Sequence, residues 1–324
     1  MGFKVRRLAC VVVSAVLSAS ILLPCTASLS AEQQNIDRDK LCYAFLRDGD
    51  VWTACRGVEN HLSLGGQVRH YAVSPDGAYF AFIRRDSSAY PSGKLVVASL
   101  GENARAPASD AKYLWLRSTC GTILGEPIGG PFATDILSGQ PLNKPPNRFF
   151  HCDSDRNVVA GWKTADGTTT ELTLWVRGNL NKTIPVHISG GNDFDVSPDG
   201  QFLAYFRDAS PKEVDLCVSP IDGQPECTEE VGDESGRDGL SLSSSGNVLY
   251  AGDTAATCFY KDMEHFSKKR LSGHSGEDAC PAIYFWVPSM PRPALIQDLA
   301  RYPQWITPEA AAALVRWNPH ASSH

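Results

Sequence analysis

An all-β ring of six four-stranded antiparallel blades, followed by a short C-terminal helix, is the fold this sequence predicts, on three observations. Two segments 123 residues apart carry nearly one phrase, Val73-Ser-Pro-Asp-Gly-x-x-x-Ala and Val196-Ser-Pro-Asp-Gly-x-x-x-Ala, each joining two apolar strands through a turn. Because 123 is three times 41, the chain reads as repeats of a unit of about forty residues. Apolar and polar residues then alternate after each copy, with recurring Asp-Gly and Ser-Gly turns, as antiparallel meanders do. A unit of this length in variable copies suits a β-propeller better than a solenoid, whose stacked repeats tolerate less variation.

The first residues predict an export signal, taken as 1–31: Lys4, Arg6 and Arg7, an apolar run over 8–23, then small residues with cleavage points at Ala27 and over 28–31. An uncleaved membrane anchor is the alternative, disfavoured by a run of only 16 residues that contains serines. A linker over 32–41 leads into a propeller domain over 42–290. A small residue four places after the turn glycine marks the copies, at Ala81 and Ala204 in the clear ones and Gly125 and Gly161 in degenerate ones. Ala44 marks a half copy that lacks its innermost strand and turn, and 243–250 keeps the turn with a bulky residue at the marker. Further strands are expected over 50–56, 94–100, 134–137, 171–177, 213–219 and 257–261. Residues 281–287, strand-like and without a following turn, are expected to pair with the first copy and close the ring, since an open ring exposes two strand edges. A seventh blade over 281–305 is the competing count. In the C-terminal extension, 291–324, Thr307 and Pro308 read as the cap and first position of a helix running to Trp317.

Of ten cysteines, Cys10 and Cys25 fall in the signal, leaving Cys42, Cys55, Cys120, Cys152, Cys217, Cys227, Cys258 and Cys280. An even count behind an export signal predicts disulfides. A two-residue turn at Asp48-Gly49 pairs 47 with 50 and, five steps on, Cys42 with Cys55 where antiparallel strands lie closest. A hairpin loop at 221–223 pairs Cys217 with Cys227 in the same way. Pairing in sequence would join Cys120 to Cys152 and Cys258 to Cys280, though other connectivities stay open.

The Val-Ser-Pro-Asp-Gly-x-x-x-Ala-[Phe/Tyr] phrase resembles the repeat of TolB-type six-bladed propellers, a repeat also seen beside the hydrolase domains of tricorn and prolyl-oligopeptidase proteases. The resemblance covers 42 to about 290. It implies a propeller and no particular function, because the repeated residues build blades. The N-terminal α/β domain of TolB proteins has no counterpart in the ten residues before the first copy. The nearest approach to a nucleophile elbow, at 273–277, lacks its last glycine and an α/β surround.

In the repeated turns, Ser74, Pro75, Asp76 and Gly77, and Ser197, Pro198, Asp199 and Gly200, are expected to set and cap the backbone; metal or catalytic duty for the aspartates is the alternative. Arg47, Arg84 and Arg207 share one position and could line an anion-binding face. The run His151-Cys-Asp-Ser-Asp155 gathers metal-capable side chains, yet neighbours on a strand point to opposite faces. His61, His70, His187, His265 and His274 lack ligand spacing, and only folding could assemble them on a channel axis. Trp52, Trp115, Trp162, Trp175, Tyr205 and Trp286 are expected between blades, with sugar stacking as the alternative. The run Asn181-Lys-Thr183 matches a glycosylation acceptor. A net charge of -6 and no basic run beyond 268–270 exclude a nucleic-acid partner. The expectation is a secreted or periplasmic monomer without catalytic residues or cofactor, binding a protein or peptide at one mouth of the ring. The connections at 86–93, 101–112, 139–148 and 229–239 are the first candidates for contact. The alternatives are an enzyme of lactonase or lyase type with a divalent cation in the channel, and a carbohydrate-binding envelope protein.

Overall fold

The computed structural model describes residues 36–85, 93–101, 112–129, 133–142, 150–165, 169–186, 194–210, 213–228, 231, 239–257 and 279–317. The expected signal, His187, Cys258, His265, His274 and most of the long connections lie outside these residues, as does the side chain of Trp162.

The strands follow one another in antiparallel pairs. The first sheet holds β1 (Cys42–Arg47), β2 (Asp50–Cys55) and β3 (Val58–Leu62). The second holds β4 (Val68–Val73), β5 (Tyr79–Arg85), β6 (Gly93–Ser99), β7 (Lys112–Thr119), β8 (Thr122–Pro127) and β9 (Thr134–Asp135). Then come β10 (Phe150–Cys152), β11 (Val158–Ala165), β12 (Thr169–Val176) and β13 (Asn179–Val186); and β14 (Phe194–Val196), β15 (Phe202–Ser210), β16 (Glu213–Pro220) and β17 (Glu226–Thr228). The last sheet holds β18 (Leu240–Leu242), β19 (Val248–Thr257), β20 (Ala279–Trp286) and β21 (Ala294–Asp298), and β22 (Arg301–Trp305) returns to β1.

The result is an all-β propeller of four-stranded antiparallel blades with one short helix, but the described residues form five blades, not six or seven. The reason is local. Gly93 and Lys94 of β6 pair with Tyr113 and Lys112 of β7, and β7 goes on to pair with β8, so the copies around Ala81 and Gly125 share one six-stranded sheet. Gly93 permits this bend of the edge, since a Cβ there would lie 2.3 Å from the Arg84 carbonyl oxygen.

Closure also differs from the expectation. Residues 281–287 fall mainly in β20, which pairs with β19 and β21 rather than with the first copy. The missing innermost strand comes instead from β22, with Tyr43 opposite Trp305 and Ala44 opposite Gln304. Ring closure by a distant strand therefore holds as a principle, with a different strand. The sheets consequently run past 290, and 281–305 divides between the last blade and the first, leaving no seventh. Of the strand expected over 257–261, Thr257 is the last residue of β19 and 258–261 lie outside the described residues.

Helix α1 (Pro308–Arg316) starts where the sequence places it, with Thr307 Oγ1 accepting from the Ala310 amide at 3.1 Å. It buries Ala310, Ala311, Ala313 and Leu314, and Leu314 enters a core with Val73, Phe80 and Phe82. The next residue but two, Trp317, sets its ring 5.3 Å from that of Phe80. Gly77 allows this docking twice over: its φ is +70°, and a Cβ there would stand 2.8 Å from the Ala310 methyl.

Among the described residues three disulfides fasten the sheets. Cys42–Cys55 and Cys217–Cys227 tie neighbouring strands of one blade at Cα separations of 4.0 and 4.1 Å, and Cys120–Cys152 ties the turn after β7 to β10 in the next blade.

Candidate functional site

The strands nearest the axis are β4, β7, β10, β14, β18 and β22, and they line two adjoining pockets. The outer pocket, about 360 Å³, opens through the turns that follow these strands, among them Ser74, Pro75, Gly121, Ser154, Pro198 and Ser243, with the first turn of α1 on one side. The inner pocket, about 260 Å³, is lined by His70, Trp115, Arg117, His151, Asp195 and Tyr302 among others. Ser118, Asp195, Ser241 and Gln304 face both.

The repeated turns make the rim of the outer pocket. Ser74 Oγ donates to Asp76 and accepts from the Tyr79 amide at 2.9 Å, and Ser197 Oγ donates to Asp199 at 2.7 Å and accepts from the Phe202 amide at 2.9 Å. Asp76 and Asp199 each accept a further backbone amide, from Ala78 and Gln201. The aspartates thus hold the turns in shape.

Deeper in, three side chains from three inner strands meet. His151 is 3% exposed; its Nδ1 lies 2.8 Å from Asp195 Oδ1 in a close but poorly aligned approach, and Arg117 Nη1 touches its Nε2. Asp195 is strongly committed, since Oδ1 accepts from the Val196 amide and Oδ2 from the Leu242 amide, each at 2.9 Å. Burial drives the His151 pKa down to about 4; the Arg117 charge lowers it further and Asp195 opposes both. Burial also drives His70 down to about 4, helped by Arg69 and Arg117. At neutral pH both rings are therefore uncharged, each with one donor and one acceptor nitrogen, and His151 Nε2 is the acceptor that faces the permanently charged guanidinium.

Of the residues singled out in the sequence, His70 and His151 reach the axis. The remainder of the His151–Asp155 run does not form a metal cluster: Cys152 is in a disulfide, and Asp153 accepts the Val158 amide at 2.8 Å. Among the described residues no three His, Cys, Asp or Glu side chains converge to hold a metal ion. His61 lies at 2.9 Å from Asp50, stacked on Trp52. The three equivalent arginines do not share a face, because each bonds its own surroundings: Arg47 to Glu59, Arg84 to the Leu64 carbonyl and Arg207 to Asp215. Tyr205 and Trp286 are buried, Trp52, Trp115 and Trp175 half-buried. Asn181 is exposed on the outermost strand of its blade.

Arg117, Asp195 and Gln304 are the residues that sequence reasoning missed. A positional signal exists: His151, Asp195 and Ser241 each stand two places ahead of the residue that opens the turn in their copy, in the column that Ala72 holds, and each is polar and lines the inner pocket where Ala72 is apolar. That column faces the axis.

No family model matches the chain, and no curated protein matches it in sequence. Solved structures with a similar outline do exist. TolB from Acinetobacter baumannii is 13% identical over 82% of this chain and 65% of its own, with a TM-score of 0.48; this chain therefore spans less than two thirds of that protein. A protein provisionally described as a 6-phosphogluconolactonase from Bacteroides fragilis is 11% identical over 82% of this chain and 98% of its own, with a TM-score of 0.41. A nidogen/laminin complex gives 8% identity and a TM-score of 0.33 over 81% of this chain and 79% of its own. Likeness at this level leaves the fold to rest on the sheets themselves, which define an all-β propeller. Among the described residues no helix is long and apolar enough to cross a membrane, and three disulfides fit a chain that matures in an oxidising compartment.

Proposed function

We propose that the protein is an exported, non-catalytic binding propeller that takes a peptide segment of a partner protein into its axial channel through the mouth ringed by the Ser-Pro-Asp-Gly turns. The observation that carries this reading is that the two pockets adjoin, with Ser118, Asp195, Ser241 and Gln304 in the walls of both. A channel about five residues deep along β22 admits an extended chain, which rises roughly 3.3 Å per residue. The outer walls offer hydroxyls, prolines and Trp305, a mixture suited to backbone and side chains of an extended segment. Asp195, committed to two amides and facing His151, supports a wall role over that of a free general base.

Selection from a displayed library of short peptides tests the reading. Enrichment is expected for the native protein and not for Ser244→Trp, which fills the outer pocket. Absence of any enriched sequence would overturn it. His70, His151 and Asp195 line the inner pocket together and leave an enzyme of lactonase type as the second reading, which turnover of lactones by the purified protein would favour.

A further inference from the structure

The inner pocket differs chemically from the mouth that leads to it. Among the described residues Asp195 is the one charged side chain along the walls of the outer pocket, whereas the inner pocket adds Arg117. Asp195 already receives two backbone amides, so its charge is partly offset before any ligand arrives. Arg117 stands between two uncharged imidazoles, in contact with His151 and close enough to His70 to depress its protonation. Its guanidinium carries five donors in a planar fork, a match for a carboxylate. A cation in the wall of a concave pocket focuses its field into that pocket.

We infer that the inner pocket binds a carboxylate, with Arg117 as the cation, His151 Nε2 accepting from the guanidinium and so orienting it, and the neutral ring of His70 as a neighbouring donor, and that a ligand enters from the turn mouth carboxylate first. The source, under the peptide-binding reading on which the inference rests, is a chain terminus or an acidic side chain of the inserted segment. A free small dicarboxylate carries the same chemistry, and the test separates the two.

The imidazole resonances of His70 and His151, followed by heteronuclear NMR in the intact protein at pH 7, report the site directly. Titration with succinate is expected to move both saturably, while chloride at equal ionic strength leaves them in place. Arg117→Gln is expected to weaken the succinate response by roughly tenfold or more. Because that change also removes a contact to His151, Ser118→Asp serves as a second variant: it leaves Arg117 and His151 intact, adds a negative charge to the wall, and is expected to weaken the response similarly. Failure of succinate to move either ring overturns the inference, as does a response unchanged in Ser118→Asp. Peptides taken from the selection, made with free and amidated C termini and with acidic side chains replaced by their amides, give the other arm. If they bind equally well in every form, the carboxylate site is overturned while peptide binding stands. If succinate binds with the expected dependence and no peptide does, the carboxylate site stands and the peptide-binding reading falls.

Discussion

Gln304 Oε1 accepts from the Val73 amide at 2.9 Å, and Gln304 Nε2 donates to the Val73 carbonyl at 2.7 Å. One side chain on the closing strand thus imitates a backbone pair with the inner strand of the neighbouring blade. The same device recurs around the axis: Asp195 reaches the Leu242 amide, and Thr119 Oγ1 accepts from the Cys152 amide at 3.0 Å and donates to its carbonyl at 3.1 Å. Inner strands of different blades diverge too far for a continuous ladder, so polar side chains satisfy the facing backbone groups.

Replacing Gln304 by Ala leaves both Val73 groups without these partners. A loss of roughly 2 kcal/mol in unfolding free energy is expected from urea titration. A loss within error would mean that water replaces the side chain at no net cost.

The axial histidines set a pH dependence. His151, facing Arg117 and Asp195, and His70, facing Arg69, Arg117 and Tyr302, both titrate near 4 in the folded protein against an ordinary 6.5. Between these values the unfolded chain takes up protons that the folded chain refuses. Stability is therefore full above about pH 6.5 and declines as pH falls toward 4, by about 3 kcal/mol for the buried His151. Urea midpoints at pH 7 and pH 4.5, compared with those of His151→Gln, measure it; the variant is expected to show a shallower decline.

The disulfides are expected to differ in effect. Cys120–Cys152 closes a separation of 32 residues and links two blades, whereas Cys217–Cys227 closes 10 within one. Chain entropy gives about 4 kcal/mol for the first and about 3 for the second. Unfolding of the two paired Cys→Ser variants would reveal the order, and a larger loss for the Cys217–Cys227 pair would contradict it.

Gly77→Val introduces a branched side chain at a positive φ, directly against Ala310. The expected result is a helix α1 detached or shifted, with a stability loss of roughly 2 kcal/mol and faster proteolysis after residue 306. An unchanged proteolysis rate would show that the helix accommodates the substituent.

How much of this was legible in the sequence depended on how local the physics was. Asp48-Gly49 sets the register of its own hairpin, and counting outward puts Cys42 opposite Cys55. Thr307-Pro308 likewise announces its helix within three residues. The closing strand is harder to see: Arg301-Tyr-Pro-Gln-Trp305 has a proline at its centre, which reads against a strand because it removes a ladder donor. Blade count failed for a related reason, since two residue pairs between β6 and β7 decide whether two copies share a sheet. Arg117, His151 and Asp195 lie in separate copies, and only the closed ring brings them together.

Because residues 301–305 complete the blade that residues 42–62 begin, order of synthesis and order of assembly are at odds. The first blade waits, with its inner edge bare, until residues 301–305 have been made. The last strand is then both a structural member and a timer.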